Sequence, residues 1–138
     1  MKKGKIILVS FLSLIVILGC IFYVPQFRVR LFVLSYHEQI EEGIAQNEGV
    51  PASDALIGGY KYVDTWSEKP RMTEFVLLEY GDNYYGCYYS PEDIPFSFQN
   101  ITDTLTEDGK NRWEWQLDEH NGYTSKIFDN WYYFKAIY

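Results

Sequence analysis

The stretch from Met72 to Ser90, "MTEFVLLEYGDNYYGCYYS", decides the fold. Its first nine residues are apolar on both faces of an extended chain, the pattern of a strand covered from two sides. Gly81, Asp82 and Asn83 are turn formers, and the run after them answers as a partner strand rich in tyrosine. Residues 73 to 89 therefore predict an antiparallel hairpin. Cys87 within it reads as a small apolar residue buried in a strand.

Working outward, "GGYKYVDTW" alternates so that Tyr60, Tyr62 and Trp66 share one face of a strand. On the other side, "SPEDIP" has Ser90 at an N-cap position, Pro91 at a first helical position and Asp93 at the capping-box place. A short helical turn limited by Pro95 is expected there, and it gives Glu92 and Asp93 a capping role in place of a catalytic one. "TDTLTEDGKNRWEWQL" predicts a second hairpin turning at "EDGKN", with Trp113 and Trp115 alternating against Arg112, Glu114 and Gln116. Asp103, Glu107 and Asp108 beside Gly109 do not have EF-hand spacing and read as a solvated turn. "NGYTSKIFDNWYYFKAIY" is expected to hold either a short helix capped by Thr124 or a strand turning at Asp129 and Asn130. It closes with a strand whose apolar residues on both faces make it central.

Between Pro25 and Pro51, Val33, Tyr36 or His37, Ile40 and Ile44 recur at helical spacing, and Gly49 with Pro51 supplies the stop. His37 and Glu41, one turn apart, read as a surface pair. The resulting class is α+β: an N-terminal transmembrane helix, then an amphipathic helix packed on a four- to six-stranded antiparallel sheet. Residues 1–25 form the anchor, 26–50 the amphipathic helix and 51–138 the sheet domain.

The anchor follows from residues 6 to 24, "IILVSFLSLIVILGCIFYV", nineteen positions with no charge. At about 1.5 Å per residue the run crosses a hydrocarbon core of roughly 30 Å. Phe22 and Tyr23 suit an interfacial aromatic belt. The alternative is lipidation, because Ile17, Leu18 and Gly19 lead into Cys20 as in a bacterial lipobox. The apolar run continuing past Cys20, and Leu18 before the glycine, favour the uncleaved span. Lys2, Lys3 and Lys5 precede the run and Arg28 and Arg30 follow it, which sets the N-terminus in the cytoplasm and the domain outside. The expected location is a cell membrane, single-pass, with an extracytoplasmic domain. Cys20 in the membrane run and Cys87 in the domain make no disulfide framework.

All nineteen carboxylates lie beyond residue 30, against seven Lys or Arg, a formal net charge of −12. Such a domain repels nucleic acid and anionic lipid headgroups, since phosphate binding depends on Lys and Arg. Thirteen Tyr, nine Phe and four Trp exclude a disordered chain and demand a core.

The runs "YYGCYYSPEDIPFSFQN" and "GYTSKIFDNWYYFKAIY" resemble segments of a family of short anchored proteins of anaerobic Gram-positive bacteria to which no activity is assigned. The likeness covers roughly residues 73 to 138, and the anchor and first helix match in character. It implies a bacterial, extracytoplasmic setting and transfers no functional residue.

No nucleophile elbow, zinc motif, phosphate loop or dinucleotide fingerprint is present, so no catalytic residue, metal ligand or cofactor is assigned. The preferred class is a binding domain that uses aromatics on a sheet face, with Tyr60, Tyr62, Tyr84, Tyr88, Trp113 and Trp115 as candidates and an envelope protein or carbohydrate as partner. The alternatives are a small carboxylate-based envelope hydrolase and a purely structural envelope protein.

Overall fold

The computed structural model describes residues 2–138; the side chains of residues 2–4, 21 and 22 fall outside the description. The expected basic flank at Lys2 and Lys3 and the place of Phe22 in an aromatic belt therefore lie outside the described residues.

Helix α1 (Lys2–Tyr23) runs up to Val24, which is extended at φ −95° and ψ 108°, and α2 (Pro25–Ala45) begins on the proline. The break has a local cause. A residue before proline is pushed out of the helical region, and proline at the first helical position has no N–H to leave unpaired. The two helices meet at 85°. Among the described residues no single helix is long and apolar enough to cross a membrane; Lys5–Cys20 and Pro25–Ala45 meet that measure only as a bent pair. Past Ala45 the chain turns with Asn47 and Gly49 at positive φ, at the stop predicted from the sequence.

Seven strands form one antiparallel sheet: β1 (Tyr62–Trp66), β2 (Met72–Tyr80), β3 (Asn83–Tyr89), β4 (Thr106–Glu107), β5 (Arg112–Leu117), β6 (His120–Phe128) and β7 (Trp131–Ile137). Their order is β1-β2-β3-β7-β6-β5-β4. The 73–89 hairpin is present as β2 and β3, the "EDGKN" turn joins β4 to β5, and β7 is central, between β3 and β6. The strand count exceeds the expected four to six because residues 120–128 form a full strand paired on both sides. Of the two options for this stretch, the strand turning at Asp129 and Asn130 is the one present, and Thr124, the cap in the helical option, is a buried mid-strand residue.

Each face of the sheet carries its own core. Phe75, Leu77, Cys87, Trp131 and Tyr133 point to one side and pack with Val29, Phe32, Val33 and Ile40 of α2. Met72, Val76, Tyr88, Tyr132 and Phe134 point to the other, where Phe96 and Phe98 cover them from residues 90–105, a strap between β3 and β4. At about 25 cal/mol per Å² of apolar area, two such layers hold the seven strands and α2 together.

Two local expectations are corrected. "SPEDIP" is a turn and not a helical turn: Asp93 takes a positive φ of 54°, and the Ser90 hydroxyl accepts the Ile94 N–H at 2.9 Å. Tyr60 does not share a face with Tyr62 and Trp66. It precedes β1, after Gly58 and Gly59 at positive φ, and its ring packs edge-on to Phe75 in the helix-side core, whereas Tyr62 and Trp66 lie under the strap. Strand alternation does not carry across that turn.

Candidate functional site

Five of the six candidate aromatics, Tyr62, Tyr84, Tyr88, Trp113 and Trp115, lie on the strap side of the sheet, and Tyr60 lies on the other. Tyr88 is fully buried and Trp115 is 4% exposed, so these two are core side chains in this structure. Tyr62, Tyr84 and Trp113 form the half-buried rim of the same cluster, Tyr84 stacking on Phe98. The Tyr88 hydroxyl links the strap to β6: it shares a hydrogen bond with Thr124 Oγ1 at 2.6 Å and accepts the Phe96 N–H of the strap at 2.9 Å. Burial pushes the hydroxyls of Tyr88 and Tyr132 up, and Tyr62 up to about 12, so all three stay protonated donors.

Glu74 sits under the strap among these rings. It is 1% exposed, its Oε2 accepts the Gln99 N–H at 3.0 Å, and its Oε1 is buried without a hydrogen-bond partner. Loss of hydration pushes its carboxyl up to about 8, against the lowering effect of the Gln99 N–H, with cross-strand Asp64 adding repulsion. Asp64 and Glu74 are thus cross-strand carboxylates of unlike environment, the first exposed and the second sealed from solvent.

The strap is fastened at its first turn by Asp93. Its carboxylate pairs with Lys126 at 2.5 Å and accepts the Asn130 N–H and the Tyr132 hydroxyl, both at 2.9 Å. Partial burial opposes ionisation, yet these three donors hold the carboxyl below its ordinary value. Neighbouring Glu92 accepts from Arg71 Nε at 3.0 Å. The capping role expected for the pair is replaced by cross-links from the strap to the sheet.

The open site is on the helix side, beyond the reach of α2. Helix α2 packs over β3 and β7. Past β7 the helix-side packing continues at Ile127 and Phe128 of β6, the latter against His37; toward β5 and β4 the register lines up one row of side chains across five strands: Thr106, Glu114, Tyr123 and Lys135, ending on Tyr85 of β3. A second row sets Gln116 beside Asn121 and Ile137. Together they line a cleft of about 530 Å³. Gly122 and Trp115 also border the cleft, their side-chain positions lying on the strap side of the sheet. A Cβ at Gly122 would run into the Trp115 indole and the Lys135 carbonyl, so glycine is needed there.

Charge within the cleft is locally matched. Arg112 pairs with Asp108 at 3.1 Å and with Glu114 at 3.3 Å, and its guanidinium lies 3.9 Å over the Tyr123 ring. Lys135 sits 5.7 Å over Tyr85. What the cleft presents is two side-chain amides, threonine hydroxyls, a phenol, an acid and an amine: donors and acceptors in alternation, beside aromatic surface. Sequence reading placed Glu114 and Gln116 opposite the tryptophans without seeing that β6 and β7 would bring Asn121, Tyr123 and Lys135 beside them. The pairing of β6 with β7 was the missing signal. Among the described residues, no group of three or more His, Cys, Asp or Glu side chains is placed to hold a metal ion. Comparison with protein-family models, with curated proteins and with solved structures finds no match to this chain.

Proposed function

We propose that this chain is a membrane-anchored binding domain which holds a polar, hydroxyl- and amide-rich chain, of the kind found in envelope carbohydrate, in the cleft between β4 and β7. The observation that carries the reading is the cross-strand row Thr106, Glu114, Tyr123, Lys135 lining one cleft. Small-ligand sites pair a concave surface with a few convergent polar groups, and sugars in particular combine hydrogen bonds to amides with packing on aromatic rings.

The anchor is α1. Every large apolar side chain from Ile6 to Leu18 is exposed, which in water would leave an apolar surface far beyond what a soluble monomer tolerates. Insertion of this helix with the domain outside matches the Lys-rich start of the sequence and the acidic domain. Cys20, exposed near the end of α1, is the acylation point in the lipidated alternative.

The test is chemical-shift mapping of the isotope-labelled full chain in lipid nanodiscs with chitohexaose, an acetamide-bearing glycan, as probe. Shifts gathered on Gln116, Asn121, Tyr123 and Lys135 support the proposal. Shifts confined to the Tyr62, Tyr84 and Trp113 rim, or none at millimolar probe, overturn it.

A further inference from the structure

Helix α2 carries a second apolar stripe that the fold does not use. At 100° per residue, Val29, Val33 and Ile40 face the sheet, and Phe27, Leu31 and Leu34 fall on the opposite side. Those three are 57%, 47% and 63% exposed. Arg28 and Arg30 flank the stripe on its two sides, and beyond Leu34 the same outer face turns acidic with Glu38 and Glu42.

A loop from the sheet domain extends this surface. Ile57 is 89% exposed, yet it is held in place: its N–H donates to the Tyr36 hydroxyl at 2.6 Å, and Arg28 Nη2 donates to the Gly58 carbonyl at 3.0 Å. An apolar side chain fixed in solvent by two hydrogen bonds to the helix beside it is arranged to touch something apolar.

We propose that Phe27, Leu31, Leu34 and Ile57 form an interfacial membrane contact, seating the first half of α2 in the headgroup region of the bilayer that α1 enters. The stripe is continuous with α1 through Tyr23 and Val24, both exposed. The 85° angle between the helices lays α2 near the membrane plane when α1 stands along the normal. Arg28 and Arg30 suit lipid phosphates at the edges of a buried stripe, and the glutamates begin where the contact ends. The sheet then faces away from the lipid. The proposal rests on α1 being the anchor, and the experiment separates the two.

The full chain carrying Cys20→Ser is reconstituted in phosphatidylcholine–phosphatidylglycerol vesicles and labelled with an environment-sensitive fluorophore at one introduced cysteine: Leu12→Cys, Leu31→Cys, Ile57→Cys, or the controls Ile94→Cys and Leu117→Cys. Native Cys87 is buried and stays unlabelled. Because an interfacial helix sinks about 5–10 Å, nitroxide lipids should quench labels at 31 and 57 about twofold or more above the two controls. Quenching at 12 but only control-level quenching at 31 and 57 overturns the surface contact and leaves the anchor standing. Absence of quenching at 12 overturns both. Shielding of position 57 from aqueous iodide without lipid quenching, growing with protein-to-lipid ratio, identifies a second copy as the occupant and overturns the proposal.

Discussion

Trp131 donates its indole N–H to the Glu41 carboxylate at 2.7 Å, joining the C-terminal part of α2 to the first residue of the central strand across ninety positions of sequence. The indole itself is fully buried against Phe75 and Tyr89. His37, whose Nδ1 lies 3.5 Å from the same carboxylate, is a neighbour of this junction.

Glu41→Ala should destabilise the domain by about 1–2 kcal/mol, since it strands a buried donor, and Glu41→Gln should do less because an acceptor remains. Denaturant titration measures both. In a Trp131→Phe background, where no donor exists, the effect of Glu41→Ala should nearly vanish.

Glu74 makes stability fall with rising pH. Its carboxyl is raised from 4.5 to about 8 in the folded chain. Between those values the unfolded chain loses a proton that the folded chain keeps, so the stabilising contribution is whole below about 4.5 and lost through about 8. Urea melts should show a decline approaching roughly 1.4 kcal/mol per pH unit inside that window. Glu74→Gln should flatten it; an unchanged slope in that variant assigns the effect elsewhere.

The hairpin at 73–89 and the central β7 were legible because their apolar residues fill both faces, a signal that needs no knowledge of partners. The strap was not. Nothing in "SPEDIPFSFQN" says that Asp93 would find Lys126 and Asn130, or that the Gln99 N–H would seek Glu74, because these contacts span 25 to 37 residues. The alternation of Trp113 and Trp115 was read correctly, but alternation does not tell a covered face from an open one. It was the strap that covered it, leaving the polar residues Glu114 and Gln116 on the face that stays open.

Burial orders the aromatic substitutions. Tyr88→Ala and Trp115→Ala should each cost about 3–5 kcal/mol and bring thermal unfolding close to ambient temperature. Tyr62→Ala and Trp113→Ala, on the half-buried rim, should leave a cooperative melt at a modestly lower temperature. Equal losses at all four positions contradict the layered core described above.

Asp93→Ala should loosen the strap while leaving the helix-side core intact. Amide hydrogen exchange should accelerate at Phe96 and Gln99 well before it does at Phe75 or Val33. The folded carboxyl lies below its ordinary value of 3.8, so its contribution is present above that value and lost as pH falls through the lower one. Asp93→Asn should accordingly blunt acid unfolding on the low-pH side.

The proposed binding in the cleft between β4 and β7 is read out as affinity. Gln116 and Asn121 are both exposed and lie side by side, so removing them leaves the core untouched. Isothermal titration of the full chain in nanodiscs with chitohexaose, comparing wild type with Gln116→Ala/Asn121→Ala, should show affinity weakened about tenfold or more at an unchanged melting temperature. Equal affinity in the two proteins would contradict the account, and so would a loss that appears only together with a fall in melting temperature.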